Sequence, residues 1–153
     1  DRRNENSGMA TTVVVCCIRG DYAYIAHVGD SRAYICRNGA LTQITEDHTY
    51  VNALVKAGII TAEEAVSHEQ RHMITRALGA EEAVSPDFKQ VEIRENDIIL
   101  LCTDGLFGEV EEPLITEILS SSRYTMSEMA GLLVDEANKS GGADNITVIC
   151  LRI

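Results

Sequence analysis

Two acidic residues stand where strand-like runs begin or end. Asp104 closes the run Ile98-Ile99-Leu100-Leu101-Cys102-Thr103 and is followed by Gly105, while Asp144 precedes Asn145 and opens into Ile146-Thr147-Val148-Ile149-Cys150-Leu151. An apolar run as short as 98–102 is too brief for a free-standing helix and suits a strand buried on both faces. If the two strands are antiparallel neighbours, their acids meet at the same end of the sheet. Two carboxylates held close at a poorly solvated rim repel each other unless a cation or a proton lies between them, so the chemistry they suggest is a shared divalent ion. Asp-Gly and Asp-Asn are also common turn dipeptides, and either acid taken alone reads as a turn. The pair is what points to metal.

The remaining composition narrows the field. The chain has 153 residues, 45% of them hydrophobic, with two prolines, enough for one compact core. A net charge of −11 and a pI near 4.7 argue against nucleic acid as a partner, because phosphate backbones attract basic surfaces. No apolar run approaches the ~18 residues of a membrane span. The start Asp1-Arg2-Arg3-Asn4-Glu5-Asn6 carries no signal-peptide core, so a soluble cytoplasmic protein is expected. Cys16, Cys17, Cys36, Cys102 and Cys150 are odd in number and lie in apolar runs, which reads as reduced thiols. His68 and His72 have helical spacing, but no third ligand stands beside them to suggest zinc.

The elements that must position the acids follow from the pattern. Residues 1–7 are polar and read as a frayed end, after which Thr11–Ile18 is β-branched and predicts a central strand. Tyr22–Val28 completes a hairpin across Arg19-Gly20-Asp21. Asn38-Gly39 predicts a second, tight hairpin between Ala33–Cys36 and Ala40–Ile44. Val51, Leu54 and Val55 then share a helix face, and Thr61 with Glu64 forms a capping-box pattern for a second short helix. The charged stretch that follows, through His72, has little to bury and reads as a mobile surface excursion. Phe88, Val91 and Ile93 suggest another strand. Two amphipathic helices are predicted around Leu114–Leu119 and Met129–Ala137, the latter with a capping box at Thr125 and Glu128. Strands in runs with helices grouped after them indicate an α+β fold.

Six pieces of the sequence, taken in order, resemble the metal-dependent Ser/Thr protein phosphatases of the 2C type, in particular the bacterial ones. They are Gly8-Met9-Ala10-Thr11-Thr12, Ala26-His27-Val28-Gly29-Asp30-Ser31-Arg32-Ala33-Tyr34, Ile44-Thr45-Glu46-Asp47-His48-Thr49, Arg76-Ala77-Leu78-Gly79, Leu101-Cys102-Thr103-Asp104-Gly105-Leu106 and Gly142-Ala143-Asp144-Asn145-Ile146-Thr147. The resemblance implies an antiparallel β-sandwich flanked by helices, with a Mn²⁺ or Mg²⁺ cluster in a cleft at one end. It makes Asp104 and Asp144 ligands of two core ions and Asp30 the ligand of a third, weaker one. It makes residues 47–72 a flap beside the cleft, with His48, Val51, Arg71 and Arg76 controlling substrate access. The implied reaction is hydrolysis of phosphoserine and phosphothreonine in proteins by a metal-activated water, with phosphoproteins and a cognate Ser/Thr kinase as partners. None of the cysteines is needed as a nucleophile.

The resemblance also has a gap. The family pattern begins with an Arg that grips phosphate, an Asp-Gly pair whose acid bridges the two core ions, and helices over one sheet, and residues 1–9 show no counterpart. The chain therefore matches a partial domain with the N-terminal part missing. Weak or no activity alone and self-association through an uncovered sheet edge are the expected consequences. A phosphatase-like binding or regulatory module without catalysis is the alternative function.

Overall fold

The structure is a computed structural model and describes residues 8–153. The expected frayed end, residues 1–7, lies outside the described residues. Seven strands and five helices follow one another as β1 (Val13–Arg19), β2 (Tyr22–Val28), β3 (Arg32–Arg37), β4 (Ala40–Gln43), α1 (Tyr50–Lys56), α2 (Ala62–Val66), β5 (Asp87–Glu92), β6 (Ile98–Cys102), α3 (Asp104–Phe107), α4 (Glu112–Ser120), α5 (Met126–Ser140) and β7 (Val148–Arg152). The strands form two antiparallel sheets, in the order β1-β2-β5 and β4-β3-β6-β7. The α+β sandwich read from the sequence is the observed architecture.

Period-two alternation decides which side chains meet. Ala23 and Ile25 of β2 turn inward against Ala33 and Ile35 of β3 and Ile99 of β6, forming the core between the sheets. The opposite faces of β3 and β6 present Tyr34, Cys36, Ile98, Leu100 and Cys102, all buried against Leu106, Ile115, Leu119, Met129 and Leu133 of the helices. β6 is thus covered on both sides, as its unbroken apolar run requires. The two long helices start where capping chemistry and proline place them. Thr125 accepts from Glu128 N–H while the Glu128 carboxylate accepts from Thr125 N–H, and α4 carries proline in its first turn.

One expectation is corrected. The β-branched run at the start predicts a central strand, but β1 is an edge strand among the described residues, paired to β2 alone in the register Val13↔Val28 to Arg19↔Tyr22. Thr11 and Thr12 precede it, with Thr11 bridging to Leu78. β-branching reports a preference for extended backbone and says nothing of how many neighbours the strand has. The tight hairpin is as expected, with Asn38 and Gly39 both at positive φ.

Candidate active site

β6 and β7 run antiparallel with Cys102 opposite Val148, so the ends that carry the two acids lie side by side. Thr103 ties them together. Its N–H donates to Thr147 O at 3.2 Å, its hydroxyl donates to Asn145 O at 3.1 Å, and Thr147 N–H donates back to that hydroxyl at 3.0 Å. Asp104 then opens α3. Gly105 packs so close to this junction that a Cβ would overlap Asn145 O, which explains a glycine at a buried helical position. Asp144 is exposed, and one of its carboxylate oxygens accepts from Asn145 N–H at 2.6 Å.

Asp104 shares with Asp30 a cleft of about 490 Å³ between the end of the sandwich and the helical excursion. Val51, Arg71 and His72 line its other wall. Burial first, and then the nearby charges of Asp104 and Asp47, push the Asp30 carboxyl above its ordinary range. Asp47 itself is held in an ion pair. Arg32 Nε donates to Asp47 Oδ1 at 3.0 Å and Nη2 to Oδ2 at 2.7 Å, while Nη1 donates to Tyr34 Oη at 2.8 Å and the guanidinium lies 3.6 Å over the Phe107 ring. One arginine therefore braces β3, the entry to α1 and the helix that Asp104 begins. Asp30 and Asp104 have no such ion pair among the described residues, although the charge of Arg32 partly offsets that of Asp30, and they remain hard oxygen donors whose mutual repulsion a divalent cation would relieve.

The access residues divide. Val51 and Arg71 line the cleft, whereas His48 and Arg76 do not. His48, expected on the flap, is 4% exposed and stacks on the fully buried His27, ring centroids 4.6 Å apart. A histidine in a polar stretch looks like a surface residue in sequence, and only the tertiary contact with β2 buries it. Arg76 Nη1 donates to Asp87 Oδ1 at 2.7 Å, and the other oxygen of Asp87 lies 3.3 Å from His48 Nε2. The ligand atoms of His27, His48 and Asp87 lie within 4.8 Å of one another, while Asp30, Asp104 and Asp144 form no such single-point group among the described residues. Arg32, Asp47 and Phe107 were not singled out as site residues from the sequence. Arg32 stands inside the motif Gly29-Asp30-Ser31-Arg32, but its partner lies fifteen residues further on and only the fold brings them together.

Desolvation holds the Cys102 thiol protonated, its pKa pushed up to about 12, and raises that of Cys150 to about 11.

Comparison with known proteins places this fold and its acidic cleft in a family. The family model of protein phosphatase 2C matches residues 1–146, and this chain belongs to that family. It is 43% identical over 146 residues to the serine/threonine phosphatase stp of Listeria monocytogenes, covering 95% of this chain and 58% of that protein. The structure of the S. agalactiae serine/threonine phosphatase superposes with a TM-score of 0.93 at 39% identity over 98% of this chain and 62% of the other. The catalytic domain of the phosphatase PstP, solved in complex with two manganese ions, superposes with a TM-score of 0.82 at 40% identity, over 94% of this chain and 59% of that one. The chain thus spans less than two thirds of the length of these relatives.

Proposed function

We propose that the protein to which this chain belongs hydrolyses phosphoserine and phosphothreonine in proteins with the help of Mn²⁺ or Mg²⁺. The observation that carries this reading is the convergence of Asp30 and Asp104 in one cleft, with no cation among the described residues paired to either. Asp104 and Asp144 are the proposed ligands of the core ions and Asp30 of a further one, all through oxygen, the donor type that such ions take. Bound there, such ions would supply a water of lowered pKa and positive charge to offset that of the phosphate. The chain's own residues do the positioning. Thr103 joins the two acid-bearing strand ends, Arg32 occupies Asp47 and steadies α3 through Phe107, and Val51 and Arg71 form the wall that a phosphorylated segment would pass.

The test is turnover of a phosphopeptide with Mn²⁺ by the longest form the reading frame encodes. Asp104→Asn in that form should lower kcat by at least about 100-fold, as expected when a group that fixes charge in the transition state is removed. Unchanged turnover in Asp104→Asn would end the reading. The chain of 153 residues alone should turn over weakly or not at all.

A further inference from the structure

The buried pair His27 and His48 does not line the cleft, and its tautomers can be assigned from the partners. His27 Nε2 meets Glu46 O at 2.8 Å, and a carbonyl only accepts, so the proton is on Nε2 and the lone pair on Nδ1. That Nδ1 is buried and has no hydrogen-bond partner among the described residues. His48 is the reverse. Gly29 N–H donates to its Nδ1 at 3.1 Å, so the lone pair is on Nδ1 and the proton on Nε2. Nε2 in turn faces Asp87 Oδ2 at 3.3 Å, an approach too oblique for a well-formed hydrogen bond but of the right charge to favour a proton there. Arg76 keeps that carboxylate ionised and in place.

These tautomers argue against the cluster as a metal site, although its ligand atoms are close enough. A metal at His48 Nε2 would need that proton removed while Nδ1 still accepts from Gly29, which leaves His27 Nδ1 and Asp87 as the only ready donors. They argue instead for positioning. His48 holds Gly29 by both of its polar groups, since His48 N–H also donates to Gly29 O at 3.0 Å. On its third side Gly29 sits at φ +105° with no room for a Cβ against Thr12. The next residue is Asp30.

We propose that His48 is a positioning residue for Asp30. Through an Nδ1 kept as an acceptor by the Arg76–Asp87 pair, it clamps Gly29 and so sets the point at which the Asp30 carboxylate enters the cleft. The proposal rests on the metal-centre reading for its functional consequence but not for its geometry. Groups that orient a metal ligand from outside the coordination sphere contribute about 10–100-fold in affinity.

Two near-isosteric variants separate this role from simple packing. In His48→Asn the side-chain oxygen can take the place of Nδ1, whereas in His48→Gln the amide reaches the position of Nε2 and leaves Gly29 N–H without its acceptor. Both are made in the longest form the reading frame encodes and checked for a cooperative melt. Mn²⁺ titration by calorimetry, with Asp30→Asn as reference for the site, should show affinity within about 3-fold of wild type for His48→Asn and a loss of about 10-fold or more for His48→Gln. The Gly29 and Asp30 amide resonances should move in His48→Gln and stay near wild type in His48→Asn. Equal effects of the two variants, or unmoved Gly29 and Asp30 amides in His48→Gln, would overturn the proposal. Wild-type protein that binds Mn²⁺ no better than Asp30→Asn, with the amide pattern as expected, would instead count against the metal reading while leaving the clamp standing.

Discussion

His48 shows how much a single residue's surroundings can change its chemistry. Burial first, with Arg76 and His27 adding to it and Asp87 opposing, lowers its pKa from the ordinary 6.5. A histidine whose folded state resists the proton contributes stability above pH about 6.5 and loses it as pH falls through the lowered value, because the unfolded chain then binds more protons. Denaturant midpoints measured from pH 8 to pH 5 should therefore fall below about pH 6.5, and His48→Asn should flatten that fall. At Gly105 the constraint is steric and not electrostatic. Gly105→Ala forces its Cβ against Asn145 O and should cost about 1–3 kcal/mol in chemical denaturation, the usual range for overpacking a site that cannot give way.

At the scale of elements, α5 and the excursion make opposite use of helical periodicity. Met129, Leu133 and Ala137 recur every four residues and are completely buried against the second sheet. Leu133→Ala should cost about 2–5 kcal/mol, the range for a buried leucine whose cavity cannot collapse. Thr125→Ala removes only the cap and should cost about 1 kcal/mol. By contrast α2 buries none of its residues although its own capping box is complete, and α1 buries Val51 alone. Caps start a helix but do not anchor it. Amide exchange in Ala62–Val66 should accordingly be faster than in Ile98–Cys102 by several orders of magnitude, and equal protection in the two would refute the assignment of this segment as a mobile flap.

Across the whole molecule, helices cover the outer face of the four-stranded sheet, while the three-stranded sheet shows Tyr24 41% and Phe88 73% exposed on its outer face. The sandwich interior is also open along β7, where Ile149 is 56% exposed although its cross-strand neighbour Leu101 packs into the inter-sheet core. Apolar surface at a strand edge favours pairing with a second chain. Sedimentation of this chain should show concentration-dependent association, and Phe88→Glu with Ile149→Glu should shift it toward monomer. No helix of the described residues is long and apolar enough to cross a membrane.

The order of strands and helices, the tight hairpin, the capping boxes and the apolar run of β6 were all legible in the sequence, because each depends on side chains within a few positions of one another. The antiparallel pairing of the two acid-bearing runs was legible too, but the cleft is lined by Asp104 and Asp30 and not by Asp144, which precedes β7 by four residues. The edge position of β1 among the described residues, the ion pair of Arg32 with Asp47, and the burial of His48 on His27 were not legible. Each of these depends on which distant segment packs alongside, and a residue's type carries no record of that neighbour until the chain has folded.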